Sequence, residues 1–166
     1  MTTYFGTRVV SKKEKTQKVD ELFSSVSPKY DVLNTAMSMG IHHLWKRQAV
    51  SVLQADFTDH VVDLACGTGD LSHLLSQKLS SGHITCVDPN PEMLSICKKR
   101  LEEHQHISYL QAHAESFSLP KQKADRLILS FGLRNFSDEK AALTQMNRSL
   151  KIGGKMVILE FNPPKS

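Results

Sequence analysis

The chain of 166 residues has the size of one ordinary domain. Its 40% hydrophobic and 23% charged residues exclude wholesale disorder and allow a buried core. The net charge of +4 is too small to indicate an anionic partner by itself. The three cysteines lack the spacing of a disulfide framework or a zinc site, so we expect a reduced, cytoplasmic chain without a bound metal.

The first part of the chain, residues 1–57, shows helical patterns and no strong strand. Apolar residues at helical spacing predict three helices, over about residues 14–26, 32–39 and 43–54. In the third helix, Trp45, Ala49, Val52 and Leu53 are predicted to face inward. We expect this segment to form a helical lid on the domain of residues 58–166.

From residue 58 onward, strand and helix patterns alternate. The predicted strands are Val61–Ala65, Ile84–Asp88, Ile107–Gln111, Arg126–Phe131 and Lys155–Phe161. Asn90 and Pro91 are typical of a helix start. The last helix is predicted to bury Leu143, Met146 and Leu150 and to end at Gly153. Short apolar strands separated by helices predict an α/β fold, a Rossmann-like doubly wound sheet of about five parallel strands.

A glycine loop follows the first predicted strand. Gly67 and Gly69 allow a tight turn and close approach of a ligand, and Asp63 lies four residues before Gly67. A dinucleotide site calls for a third glycine, and Ser72 occupies that position. The loop is therefore an incomplete dinucleotide fingerprint preceded by an acidic residue.

Polar residues end the next strands. Asp88, 21 residues after Gly67, is suited to accept hydrogen bonds from both hydroxyls of a ribose. This contact fits NAD and S-adenosylmethionine equally. Asp88 could instead cap the following helix, but Asn90 is the better cap.

Two longer stretches carry a more specific resemblance. The run Lys29-Tyr30-Asp31 followed by Asn34, and the run Ser130-Phe131-Gly132-Leu133-Arg134-Asn135, resemble signatures of the ubiquinone/menaquinone biosynthesis C-methyltransferases. That family belongs to the class I S-adenosylmethionine-dependent methyltransferases. The similarity runs in order from about residue 18 to residue 161.

The resemblance implies that S-adenosylmethionine is the cofactor and that the reaction is C-methylation of a prenylated quinol, either demethylmenaquinol or a polyprenyl benzoquinol. The implied cofactor-binding residues are Asp63, Gly67, Thr68, Gly69, Asp88, His113, Ala114 and Ser130. His113 stands where the family usually has Asn or Asp. We expect Arg134 to be catalytic, by stabilising the phenolate of the substrate, and Tyr30, Asn34 and Asn135 to bind the substrate.

Three functions remain open at this point. The chain could be an active quinol C-methyltransferase, a family member that has lost catalysis and binds a cofactor or partner, or an NAD-dependent oxidoreductase. Ser72 and the run from Ser130 to Asn135 weigh against the last of these.

The sequence also suggests contacts with partners. The C-terminal β-hairpin usual for this class is expected to be absent, which would leave Val157–Leu159 on an open edge that pairs in a homodimer. A basic cluster predicts peripheral contact with anionic lipid at the inner membrane face, and no motif indicates nucleic-acid binding. The cluster consists of Arg8, Lys12, Lys13, Lys15 and Lys18.

Overall fold

The computed structural model describes residues 2–6, 8–26, 40–119 and 123–161. The helices are α1 (Lys12–Val26), α2 (Ile41–Leu53), α3 (Asp70–Ser76), α4 (Pro91–Arg100) and α5 (Glu139–Ser149). The strands are β1 (Thr2–Phe5), β2 (Arg8–Ser11), β3 (His60–Leu64), β4 (His83–Asp88), β5 (Ile107–Gln111), β6 (Ala124–Ser130) and β7 (Leu150–Leu159). The predicted helix over 32–39 lies outside the described residues, as do Tyr30 and Asn34.

The centre of the fold is a parallel sheet with the strand order β5-β4-β3-β6-β7. Every neighbouring pair in it is parallel. The strand order reverses between β3 and β6, which is the topology of a doubly wound sheet. The predicted Rossmann-like α/β fold is confirmed.

Side chains of the sheet alternate between two hydrophobic clusters, one on each face. Val61 belongs to one cluster and its neighbour Val62 to the other, because successive residues of a strand point to opposite faces. Ala49, Val50 and Leu53 of α2 pack in the same cluster as Val61. Helix α2 therefore shares a core with the sheet.

The N-terminal segment contains a β-hairpin, which the prediction of helices without a strong strand in residues 1–57 missed. Strands β1 and β2 pair antiparallel, and Gly6 turns the chain between them with a φ of 58°. Tyr4 and Val9 are both more than half exposed. Because the hairpin buries little apolar surface, its strands show no clear alternation of apolar and polar residues.

The buried face of helix α2 differs from the predicted one. Trp45 and Val52, expected inside, are 39% and 45% exposed. The buried face instead carries His42 and Lys46, followed by the core residue Ala49. The polar pair was missed because burial of a charged side chain is not expected without a partner.

The last helix ends earlier than predicted, and its glycines lie in a strand. Helix α5 ends at Ser149, Leu143 is 39% exposed, and Leu150 pairs with Ala124 of β6. Between Leu150 and Lys155 the register of β7 shifts, and Gly153 there has a φ of 79°. The glycine pair therefore marks a bulge within β7 and not a helix end.

Among the helices that the structure describes, none is both long enough and apolar enough to cross a membrane.

Candidate functional site

Two cavities meet at the carboxyl ends of β3 and β6, where the strand order reverses. The first cavity extends to Asp88 and His113, and the second extends to Thr68 and Trp45. The residues that line both cavities are Ala65, Gly67, Ser130 and Phe131. Their volumes, about 750 and 970 Å³ including space open to solvent, are in the range of small-molecule sites. In a doubly wound sheet this is the expected place for a ligand.

The backbone is strained where the two cavities meet. Ala65 follows β3 with a φ of 53°, and Phe131 follows β6 with a φ of 56°. Non-glycine residues in this left-handed region cost of order 1–3 kcal/mol and concentrate at functional sites. The backbone N–H of Phe131 donates to the carbonyl of Leu159, at 2.8 Å, which holds the turn in place.

Asp88 connects the end of β4 to the glycine loop. One carboxylate oxygen accepts a hydrogen bond from the backbone N–H of Gly67 and the other accepts one from the N–H of Asn90, both at 2.9 Å. The Asn90 side chain caps α4, as predicted. Burial raises the pKa of Asp88, and the two backbone donors oppose that rise. A carboxylate has about four acceptor sites, so two remain for a ligand in the first cavity.

The far wall of the first cavity contains the predicted adenine contacts. His113 and Ala114 line it after β5, and Asp20 lines it from helix α1. Burial raises the pKa of Asp20, while the nearby His113 acts in the opposite direction. Asp20 was not found from the sequence, because the helical pattern of α1 gives no sign of the loop that it faces.

A cluster of charges forms one wall of the second cavity. The Lys46 Nζ atom lies 2.6 Å from a carboxylate oxygen of Asp70, and Arg100 contacts the other oxygen. Burial opposes ionisation of Asp70, but the two cations together lower its pKa. Arg100 also donates to the hydroxyl of Thr68 at 3.3 Å. This network fixes the start of α3 beside the glycine loop.

The opposite wall of the second cavity is aromatic. The rings of Phe131 and Phe161 are stacked with centroids 4.6 Å apart, and Trp45 meets Phe161 edge-on at 5.7 Å. Arg134 lies over the Phe161 ring at 5.5 Å and pairs with Glu160. An aromatic wall beside a guanidinium is suited to a flat ring that carries negative charge.

Behind the glycine loop, Ser72 explains the missing third glycine. Its hydroxyl donates to Asp63 at 2.6 Å and lies 3.1 Å from the sulfur of Cys86. Burial, with a further contribution from Cys86, raises the pKa of Asp63 to about 8. A glycine at position 72 would leave the buried Asp63 carboxyl without this donor.

The three cysteines, far apart in the sequence, lie together behind the same loop. The sulfur atoms of Cys66, Cys86 and Cys97 are all within 4.8 Å of one another. Hydrogen bonds from the other two thiols lower the pKa of Cys97 to about 5. Sequence spacing could not reveal this cluster, because each cysteine lies on a different element.

The structure brings most of the sequence-predicted site residues to the two cavities. Asn135, expected at the substrate, lines the first cavity and not the second. Asp63 and Gly69 line neither cavity: Asp63 binds Ser72, and a Cβ atom on Gly69 would lie 2.6 Å from the sulfur of Cys97. These two residues therefore support the loop from behind.

Sequence comparison finds relatives that match nearly the whole chain. The sequence profile of the ubiE/COQ5 methyltransferase family matches residues 11–166. The chain is 44% identical over 165 residues to the ubiquinone/menaquinone biosynthesis C-methyltransferase UbiE of Xanthomonas axonopodis pv. citri, covering 97% of this chain and 65% of that protein. UbiE of a Shewanella species is 42% identical to the chain over 170 residues, and the match covers 98% of this chain and 66% of that protein. The chain thus spans about two thirds of the length of these relatives.

Solved structures share the fold at low sequence identity. A SAM-dependent methyltransferase from Aquifex aeolicus gives a TM-score of 0.64 at 16% identity, covering 73% of this chain and 68% of that one. The cyclase SpnF gives a TM-score of 0.75 at 17% identity, covering 87% of this chain and 60% of that one. Because the second is described as a cyclase, the fold alone does not decide the reaction.

The raised pKa of Asp63 predicts a pH-dependent stability. The unfolded carboxyl titrates near pH 3.9, so ionisation penalises the folded state increasingly as the pH rises from about 4 to 8. The stabilising effect of the neutral carboxyl is complete below pH 4 and lost toward pH 8. We therefore expect Asp63→Asn to gain stability relative to the wild type over this range, with a slope of at most about 1.4 kcal/mol per pH unit. Urea unfolding at a series of pH values measures the difference.

Asp125→Asn is the matched control, because Lys151 and the His60 amide outweigh the effect of burial and lower the pKa of Asp125. Asp125→Asn should lower the free energy of unfolding by a constant amount from about pH 4 to 8, because the wild-type carboxyl is ionised and paired throughout this range; this loss should shrink only at more acid pH, where the wild-type carboxyl becomes protonated. If the difference in the free energy of unfolding between Asp63→Asn and the wild type stayed constant from pH 4 to 8, the pKa of Asp63 would not be raised in the folded protein.

Proposed function

The chain belongs to the ubiE/COQ5 methyltransferase family, and from this we propose that it binds S-adenosylmethionine and methylates a ring carbon of a prenylated quinol in ubiquinone or menaquinone biosynthesis. The observation that carries the proposal is the Asp88 carboxylate. It is 7% exposed, held by two backbone N–H groups, and lines the first cavity.

The residues present fit this cofactor by their donor and acceptor chemistry. Asp88 offers its remaining acceptor sites to the ribose hydroxyls, and His113 with Ala114 forms the part of the wall suited to adenine. Gly67 and Ser130, which line both cavities, would bind the cofactor where the cavities meet. Thr68 extends the same surface into the second cavity, where it would contact the methionine portion.

The second cavity supports binding of the quinol ring. When bound, S-adenosylmethionine supplies an electrophilic methyl group on a sulfonium. Trp45, Phe131 and Phe161 present aromatic faces for a flat ring, which would orient the ring carbon for attack. Arg134 has five N–H donors, and Glu160 occupies only part of them. The others are available to stabilise a phenolate oxygen, which makes the ring carbon electron-rich.

Removing the Asp88 side chain should abolish cofactor binding. Asp88→Ala deletes two charge-assisted acceptors and releases the Gly67 amide, so we expect an affinity loss of about 100-fold or more for S-adenosylhomocysteine. Calorimetry measures it. Asp125→Ala is the matched control, because Asp125 is an acidic residue that pairs with Lys151 near the amino end of β6, away from the cavities. Equal affinities for the two variants would show that Asp88 is not the ribose ligand.

Neutralising Arg134 should slow methyl transfer without weakening cofactor binding. We expect Arg134→Gln to lower kcat by about 100-fold to 1,000-fold, because it loses a cation at the developing phenolate. Transfer of labelled methyl from S-adenosylmethionine to demethylmenaquinol and to a benzoquinol measures the rate. Arg126→Gln, at the amino end of β6, should retain full rate.

An unchanged kcat in Arg134→Gln would remove Arg134 from the mechanism. Wild-type protein that binds S-adenosylhomocysteine but methylates neither quinol would favour the alternative that this family member has lost catalysis.

We also propose that the prenylated substrate brings the protein to the inner membrane face and that the β7 edge pairs in a homodimer. Ile158 is 36% exposed on this edge strand, whereas Val157 and Leu159 pack partly against the core.

In the basic cluster, Lys12 pairs with Asp138, Lys18 pairs with Glu14, and Lys15 is buried. These partners reduce the charge available to lipid, which leaves the exposed Arg8 and Lys13.

Both contacts can be measured on the wild-type chain. We expect liposome sedimentation to show a preference for anionic lipid of about 1 kcal/mol for each exposed basic residue. Light scattering should show a dimer that Ile158→Lys dissociates. Equal binding to neutral and anionic vesicles would contradict the lipid contact, and a monodisperse wild-type monomer would contradict the pairing.

A further inference from the structure

Three side chains with the same soft ligand atom converge behind the glycine loop. Cys66 lies in the loop after β3, Cys86 in β4 and Cys97 in α4, and their sulfur atoms are all within 4.8 Å of one another. All three are free thiols, and they are the only cysteines of the chain. We call this group the thiol cluster.

Packing alone accounts for burial of the thiol cluster but not for its arrangement. A buried cysteine often serves as a small apolar side chain, and Cys86 and Cys97 are both fully buried. Cys66, however, also lines the second cavity, so the cluster can be reached from the cleft. Bonds of about 2.3 Å to one central atom place three sulfurs about 4 Å apart in a planar site, and closer together in a pyramidal site, so the sulfurs of the cluster need to move toward one another only slightly. The cluster is therefore close to the geometry of a three-sulfur site.

The charge of an ion decides whether this buried cluster can bind it, and three kinds of ion that prefer sulfur ligands can be compared. Three thiolates around Zn²⁺ leave one net negative charge, and around Cu⁺ they leave two, whereas a trivalent ion leaves none. Burial of unpaired charge is costly, and the carboxyl of Asp63 already lies beside Cys86. Zn²⁺ also requires a fourth ligand in structural sites, and the group found among the described residues supplies three.

We propose that the thiol cluster is a binding site for trivalent arsenic, which enters from the second cavity as neutral arsenous acid. The reaction balances without an oxidant or reductant. Three As–O bonds break and three As–S bonds form, and each hydroxyl group leaves as water with one proton, which comes from a thiol or, for a cysteine that is already deprotonated, from the solvent. Arsenic remains trivalent throughout, and the complex is uncharged.

Occupation of the thiol cluster should disturb the loop in front of it. Cys66 directly precedes Gly67, whose N–H donates to Asp88. Gly69 packs so closely on Cys97 that a Cβ atom would lie 2.6 Å from its sulfur. When the three sulfurs move toward one bound ion, Gly67 and Gly69, at the two ends of this turn, should therefore move as well. The expected loss of cofactor affinity rests on the proposed function, whereas arsenic binding does not.

The test is an anaerobic titration of the reduced wild-type protein with arsenite. We expect one arsenic per chain by mass spectrometry and three sulfur neighbours without oxygen by X-ray absorption. Cys66→Ala and Cys97→Ala should each weaken binding by about 100-fold, because a dithiol replaces a trithiol. Ser76→Ala, at the half-buried last residue of α3, is the control that should bind like the wild type.

Several results would overturn the site: no bound arsenic, oxygen in the arsenic coordination shell, wild-type affinity in both cysteine variants, or displacement of arsenic by equimolar Zn²⁺. The X-ray absorption measurement uses the wild type alone, so it decides the matter even where a variant fails to fold. Unchanged S-adenosylhomocysteine affinity in the arsenic-bound protein would contradict the coupling. Failure of S-adenosylhomocysteine to bind without arsenic would count against the proposed function and leave the arsenic site standing.

Discussion

The hydrogen bond from the Gly67 amide to the Asp88 carboxylate is the interaction on which the cleft depends. It joins the loop after β3 to the end of β4 and orients a buried carboxylate along the wall of the first cavity. Strand pairing brings these two ends to the same edge, since β3 and β4 are parallel neighbours. Without this bond, the buried carboxylate would keep only the Asn90 amide as a backbone donor, and the loop would lose its anchor on β4.

Supporting contacts on the other side of the loop make that geometry rigid. Ser72 holds Asp63, and Asp70 receives both Lys46 and Arg100. The interior is therefore unusually polar where α2, α3 and the loop meet. A rigid loop beside two connected cavities suits a reaction in which a cofactor and a second substrate are positioned against each other.

The sequence was most informative where local pattern and final structure agree. The five central strands and the Asn90 cap could be predicted because short apolar runs and capping residues act locally. The hairpin of residues 2–11 was missed because its side chains are largely exposed, and the Gly153 bulge resembled a helix end. Lys46 and the thiol cluster could not be predicted, since each depends on partners that only the tertiary fold brings near.

We propose that the cleft binds a cofactor with a single nucleoside and not a dinucleotide. Ser72, bound to Asp63, stands where a dinucleotide site has its third glycine. Calorimetry of the wild-type chain with S-adenosylhomocysteine and with NAD, at the same pH and salt, tests this most directly. We expect one binding site for S-adenosylhomocysteine and no measurable heat with NAD; binding of NAD with equal or higher affinity would contradict a single-nucleoside site.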